Sequence, residues 1–230
     1  MKIGGFQKTS LLDYPGNISA IIWTVGCNFR CPFCYNKDLV LGEVGTFSKE
    51  EIFSFLKKRK GLLEGLVISG GEPLMQKDIV DFIEKVKKMG YLVKIDTNGM
   101  YPEKLKELID KKLIDYVSMD VKAPKNKYDL LTGVKTDIKK IEKSIDIIRN
   151  SNISYEFKTT FVPELLEKKD IIEIAKWLDG SKRYFLQQFK NNAPLVSDKL
   201  LNTPPHSKEE LIETLNEIKP YFQECDVRGI

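Results

Sequence analysis

A chain of 230 residues with 42% hydrophobic and 30% charged content can bury one sizeable core, so a single domain spanning residues 1–230 is expected. Lys and Arg number 37 against 33 acidic residues, and the resulting +4, with no clustered basic stripe, argues against nucleic-acid binding. No apolar run approaches the roughly 18 residues of a membrane span and no secretory h-region opens the chain, so a cytoplasmic protein with reduced thiols and no membrane contact is expected.

Apolar β-branched runs alternate with stretches of helical period along the chain, the pattern of repeated βα units around a parallel sheet. Strands are predicted at residues 18–25, 65–69, 91–96, 114–121, 154–162 and 183–189. Helices are predicted near 49–60, 77–89, 102–112, 137–150, 168–179 and 208–222. Two of them open on capping-box sequences, Ser48-x-x-Glu51 and Ser207-x-x-Glu210. Residues 191–205 read as a surface loop, and Cys225 as a spare thiol beyond the last helix. Six units are too few for an eight-stranded barrel, so the expected fold is α/β, an open partial (β/α)6 barrel or an open twisted sheet. In either, ligands bind beyond the carboxyl ends of the strands.

The first predicted strand runs into Gly26-Cys27-Asn28-Phe29-Arg30-Cys31-Pro32-Phe33-Cys34-Tyr35-Asn36, which brings three thiols to that end in one short loop. The spacing Cys27-x3-Cys31-x2-Cys34 lets the loop wrap an iron-sulfur cubane, with three thiolates on three irons and the fourth iron open. A structural zinc would want a fourth ligand, for which distant Cys225 and the lone His206 are the candidates. Three buried structural cysteines are the remaining reading.

This motif, with Phe33 as the aromatic before the last cysteine, resembles the signature of the radical S-adenosylmethionine superfamily. The resemblance implies a 4Fe-4S cluster on Cys27, Cys31 and Cys34, which chelates S-adenosylmethionine and cleaves it to a 5'-deoxyadenosyl radical. It also implies cofactor contacts from Phe33, Cys34 and Tyr35. Gly70-Gly71-Glu72 after the second strand is similar to the superfamily's GGE motif, which binds the methionine amino group. Asp96-Thr97 after the third strand and Asp120-Val121-Lys122 after the fourth resemble elements that, in glycyl-radical enzyme activating enzymes, order a monovalent cation beside the cofactor carboxylate and bring Lys122 to the cofactor. Lys158 on strand five falls where those relatives place a basic residue. Strand six departs from the pattern, carrying Gln187 and Gln188 where several relatives have His; either amide could supply the missing hydrogen bond. His206 reads as an exposed residue ahead of the last helix.

With the N-terminal residues 5–16 added, the resemblance to the glycyl-radical activases covers nearly the whole chain and is closest to the activators of anaerobic ribonucleoside-triphosphate reductase. It implies a protein substrate, the glycyl-radical enzyme, and a low-potential electron donor such as flavodoxin or ferredoxin. Two alternatives stay open: a radical enzyme acting on a small molecule, for example a deazapurine synthase, and a zinc-stapled binding module without turnover.

Overall fold

The computed structural model describes residues 1–191 and 194–230, so residues 192 and 193 of the predicted loop lie outside the described residues. One sheet of eight strands runs in chain order, β1 (Ile3–Ser10), β2 (Ser19–Thr24), β3 (Gly65–Gly70), β4 (Leu92–Thr97), β5 (Tyr116–Asp120), β6 (Ser154–Phe161), β7 (Ser181–Gln188) and β8 (Phe222–Arg228). β1 pairs antiparallel with β2, and every later pair is parallel. Among the described residues β1 and β8 do not pair with each other, so the sheet stays open.

The six predicted strands are β2 to β7, and the sequence reading missed the strand at each edge. The segment around Cys225, read as a tail, is β8, and Cys225 itself is buried there.

Helices α1 (Lys37–Leu41), α2 (Lys49–Lys58), α3 (Ile79–Lys88), α4 (Pro102–Asp110), α5 (Tyr128–Thr132), α6 (Ile138–Arg149), α7 (Lys168–Trp177) and α8 (Lys208–Ile218) connect the strands. Both foreseen capping boxes form, Ser48 with Glu51 and Ser207 with Glu210, and each satisfies two free N–H groups of a helix start. In α3, Ile79, Phe82, Ile83 and Val86 recur at helical spacing and are the buried stripe.

Alternation along the strands separates two faces. Ala20, Ile22, Leu66, Ile68, Val93, Ile95, Val117 and Met119 belong to the main core shared with the helices. On the concave face, Tyr14, Ile21, Val67 and Tyr116 form a smaller apolar plug at the amino end of the strands. Beyond that plug the concave face turns polar. Glu156 is buried and accepts hydrogen bonds from Tyr116 Oη and Ser118 Oγ, each at 2.9 Å. Arg228 of β8 meets the same carboxylate with both terminal guanidinium nitrogens, at 2.8 and 2.9 Å, while its guanidinium carbon lies 3.4 Å from the centre of the Phe185 ring.

Candidate active site

A cleft opens at the carboxyl ends of the strands, and all three clustered cysteines line it. The loop that carries them is held by backbone hydrogen bonds on two sides. Arg30 N–H donates to Thr132 O at the end of α5, at 2.8 Å. Val196 N–H donates to Cys34 O at 3.2 Å and Ser197 N–H to Pro32 O at 3.0 Å. Residues 194–205 of the predicted surface loop therefore do more than cover surface: Leu195 is buried and the backbone of Val196 and Ser197 braces the cysteine loop. Gly133, at φ 67°, lets the end of α5 come close; a Cβ there would lie 2.4 Å from Arg30 O.

The glycines of the second motif are required by the same crowding. Gly70 has φ 119° and packs on Thr24, and a Cβ on Gly71 would lie 1.9 Å from Gly26 O. Backbone bonds then dock this turn on the start of the cysteine loop, Gly71 N–H to Thr24 O and Glu72 N–H to Gly26 O, both 2.9 Å.

Glu72 faces inward, with no exposed surface, and does not line the cleft. Its carboxylate accepts from Leu74 N–H at 3.0 Å, Thr97 Oγ1 at 2.8 Å and Asn98 N–H at 2.7 Å. These bonds join the ends of β3 and β4 and hold the side chain beneath the cleft surface. Burial pushes its carboxyl up to about 7 against the pull of those donors.

Of the other residues singled out from the sequence, Gly70, Gly71, Phe33, Tyr35, Asp96, Thr97, Asp120, Lys122, Lys158 and Gln187 line the cleft. Val121 and Gln188 do not. Val121 is buried and its carbonyl accepts from Thr159 Oγ1, while Gln188 donates to His206 O at 2.6 Å. Alternation on β7 makes only one of the two glutamines available, and it is Gln187. His206 is tucked in, its ring 3.8 Å from that of Phe161, which corrects its reading as exposed.

Ser69 and Asn98 also line the cleft, and Lys94 is paired with the cleft-lining Asp96; none of the three was singled out as a site residue from the sequence. Lys94 carried a signal: a lysine at an inward position of an apolar strand, two before Asp96, must share its face. Its Nζ lies 2.6 Å from Asp96 Oδ1. Lys122 Nζ lies 3.1 Å from Asp120 Oδ1 and Lys158 Nζ 3.8 Å from Asp120 Oδ2. Burial opposes the charge on Lys122, but the Asp120 carboxylate, and the Cys31 sulfur when ionised, outweigh it and hold the ammonium above its usual range. Burial also opposes ionisation of Asp96, and Lys94 and Lys158 reverse this, holding its carboxyl below the usual range.

Burial pushes the Cys27 thiol up to about 11 and Cys31 up to about 12, and raises Cys34 as well. Ligation by a cation would relieve that penalty, since a coordinated thiol is deprotonated outright. The three thiols share a cleft, yet no group of three or more His, Cys, Asp or Glu among the described residues converges on one metal ion. Three thiols in one loop match a cubane that leaves its fourth iron open, whereas a structural zinc asks for a fourth protein ligand. Cys225 lies on another strand facing the main core and His206 on the far side of β6 and β7, so neither joins them. A more open hollow between α4 and α6 is lined by residues such as Lys106, Asp110, Asn150 and Ser154 near the other end of the strands, and holds no comparable group.

An open, mostly parallel sheet with a three-thiol cleft at its carboxyl edge is an α/β fold built to bind a ligand at that edge. The model of the Radical SAM superfamily matches residues 21–178, and the chain belongs to that superfamily. It is therefore an enzyme, of a family whose cofactors are a 4Fe-4S cluster and S-adenosylmethionine. Over 99% of its length it is 38% identical to a Methanocaldococcus jannaschii protein, 96% of which is covered, provisionally named a glycyl-radical enzyme activating enzyme. A pyruvate formate-lyase-activating enzyme of Listeria monocytogenes is 31% identical over 53% of this chain and 53% of its own. The fold is shared with Streptococcus suis SuiB bound to S-adenosylmethionine, with a TM-score of 0.69 at 16% identity, over 91% of this chain and half of that longer one. No helix is long and apolar enough to cross a membrane among the described residues.

Proposed function

We propose that this enzyme is a glycyl-radical activase: it cleaves S-adenosylmethionine reductively and uses the 5'-deoxyadenosyl radical to take a hydrogen atom from a backbone glycine of a partner enzyme, an anaerobic ribonucleoside-triphosphate reductase. The observation that carries the reading is the three-thiol loop gathered with Lys122 and Asp120 in one cleft. The cluster, when bound to Cys27, Cys31 and Cys34, supplies the electron that breaks the S–C5' bond. Around it the chain's own groups position the cofactor. The Gly70-Gly71 backbone offers close approach, Lys122 offers an ammonium donor, and Gln187 supplies the amide where relatives have His. Phe33 and Tyr35 supply aromatic walls. A flavodoxin or ferredoxin would deliver the electron in the cytoplasm.

Anaerobic reconstitution with iron and sulfide, followed by a reductant and S-adenosylmethionine, tests this. The expected product is 5'-deoxyadenosine, with a glycine-centred doublet in electron spin resonance when the reductase is added. 5'-Deoxyadenosine without a doublet from any glycyl-radical enzyme would favour a small-molecule substrate, and a colourless protein holding only zinc would end both readings.

A further inference from the structure

The alkali cation that the resemblance places beside Asp96 and Asp120 does not fit the residues present. Asp96 already has Lys94 at 2.6 Å and a hydrogen bond from the Ser69 side chain. Asp120 has Lys122 on one oxygen and Lys158 near the other. Two carboxylates thus face three ammonium groups. Even with Lys122 assigned to the thiols, Lys94 and Lys158 balance both acids, and no carboxylate charge is left to hold a metal cation against its desolvation. Lys94 is 6% exposed in its side chain and Asp96 16%, so solvent screens this pair little.

We infer that the Lys94 ammonium takes the place of the alkali cation beside Asp96, so that this enzyme binds the carboxylate of S-adenosylmethionine without a metal cation. The inference rests on the cofactor reading of the same cleft. A tethered ammonium has two consequences that a free ion lacks. It is present at any salt composition, and its reach is set by the strand, because Lys94 and Asp96 are two apart on one face of β4. Lys94 acts here as a positioning residue: it is paired with Asp96, which lines the cleft, and it holds that carboxylate in place without lining the cleft itself.

The test measures S-adenosylmethionine affinity of the anaerobically reconstituted full chain by equilibrium dialysis. One buffer contains potassium or sodium, the other tetramethylammonium at equal ionic strength. Wild-type affinity is expected to be the same in both. Lys94→Met is expected to lose at least about tenfold in tetramethylammonium, the weaker end of what unpairing a buried carboxylate costs, and to regain most of it when sodium or potassium is added. Lys94→Arg, which keeps the charge, should stay insensitive to the alkali ion and covers the case in which Lys94→Met does not fold. Broadening of the sodium-23 resonance by Lys94→Met and not by wild type would report the newly created ion site independently of turnover. Wild-type affinity that falls about tenfold on withdrawal of alkali ions overturns the inference, and so does a Lys94→Met protein indifferent to them. Absence of cofactor binding in every salt overturns the cofactor reading as well, and so distinguishes the two failures.

Discussion

The Glu72 carboxylate accepts the backbone N–H of Asn98 at 2.7 Å, and the Asn98 side chain in turn donates to Asn28 Oδ1 at 2.9 Å. The turn after β3, the turn after β4 and the cysteine loop are thereby one hydrogen-bonded unit with a buried acid at its centre. Glu72→Ala would leave the N–H groups of Leu74 and Asn98 without their partner in a dry site. A stability loss of about 3 kcal/mol is expected, read as a lower denaturant midpoint together with iron and sulfide contents below four per chain after reconstitution.

The same residue sets a pH dependence whose sign follows from burial. Above about 4.5 the unfolded chain has released the Glu72 proton, while the folded chain keeps it to about 7. Stability contributed by this group is therefore fully present below the lower value and declines as pH rises through the upper one. Glu72→Gln, which cannot titrate, is expected to remove that slope; melting curves of both proteins between pH 5 and 8 would reveal it, and parallel curves would count against it.

Gly71→Ala is expected to be more damaging than its size suggests, because the added methyl meets the Gly26 carbonyl rather than a flexible side chain. Overpacking against backbone costs about 1–3 kcal/mol. Here it also pushes on the residue before Cys27, so cluster occupancy, measured by iron analysis and visible absorption, should fall alongside the melting temperature.

Arg228→Met strips the buried Glu156 of the one cation that pairs with it among the described residues. In the wild type burial opposes ionisation of Glu156, and Arg228 overrides it and holds the carboxyl below its usual range. Stability from this pair is thus present above the unfolded carboxyl pKa and lost as pH falls through the folded one. The variant is expected to lose about 2 kcal/mol at pH 7, discounted because the guanidinium is partly exposed, and to approach wild type only as acid protonates the folded carboxyl, below its usual range. Denaturant titrations at pH 7 and through the acid range check both halves.

Alanine at Cys27, Cys31 or Cys34 is expected to abolish cofactor cleavage, whereas Cys225→Ala should keep the cluster spectrum and cost about 1 kcal/mol of stability. Of the two glutamines, Gln187→Ala should weaken cofactor affinity about fivefold, the worth of one hydrogen bond. Gln188→Ala should leave that affinity unchanged and loosen the segment around His206.

Legibility in the sequence tracked how local the governing physics was. The cysteine spacing, the two glycines and the six central strands are set by neighbours a few residues away, and all could be read. β1 could not, because Gly4, Gly5, Gln7 and Lys8 dilute any alternating pattern and what extends it is pairing with β2, helped at Ile3 by a bridge to Phe47. β8 hid for a related reason. Its Arg228 looks like a solvated tail charge until Glu156, 72 residues earlier, is placed beside it. Glu72 was legible as a site residue but its direction was not, since the three donors that turn it inward come from the next strand end and its own turn.

The backbone brackets on the cysteine loop, at Thr132 on one side and at residues 196 and 197 on the other, involve no sulfur atom. A chain stripped of iron by air would therefore keep its mould, and repair would ask only for fresh metal and sulfide rather than for renewed folding. Damage by oxygen then becomes a question of thiol chemistry, decided by how soon the sulfurs are reduced again.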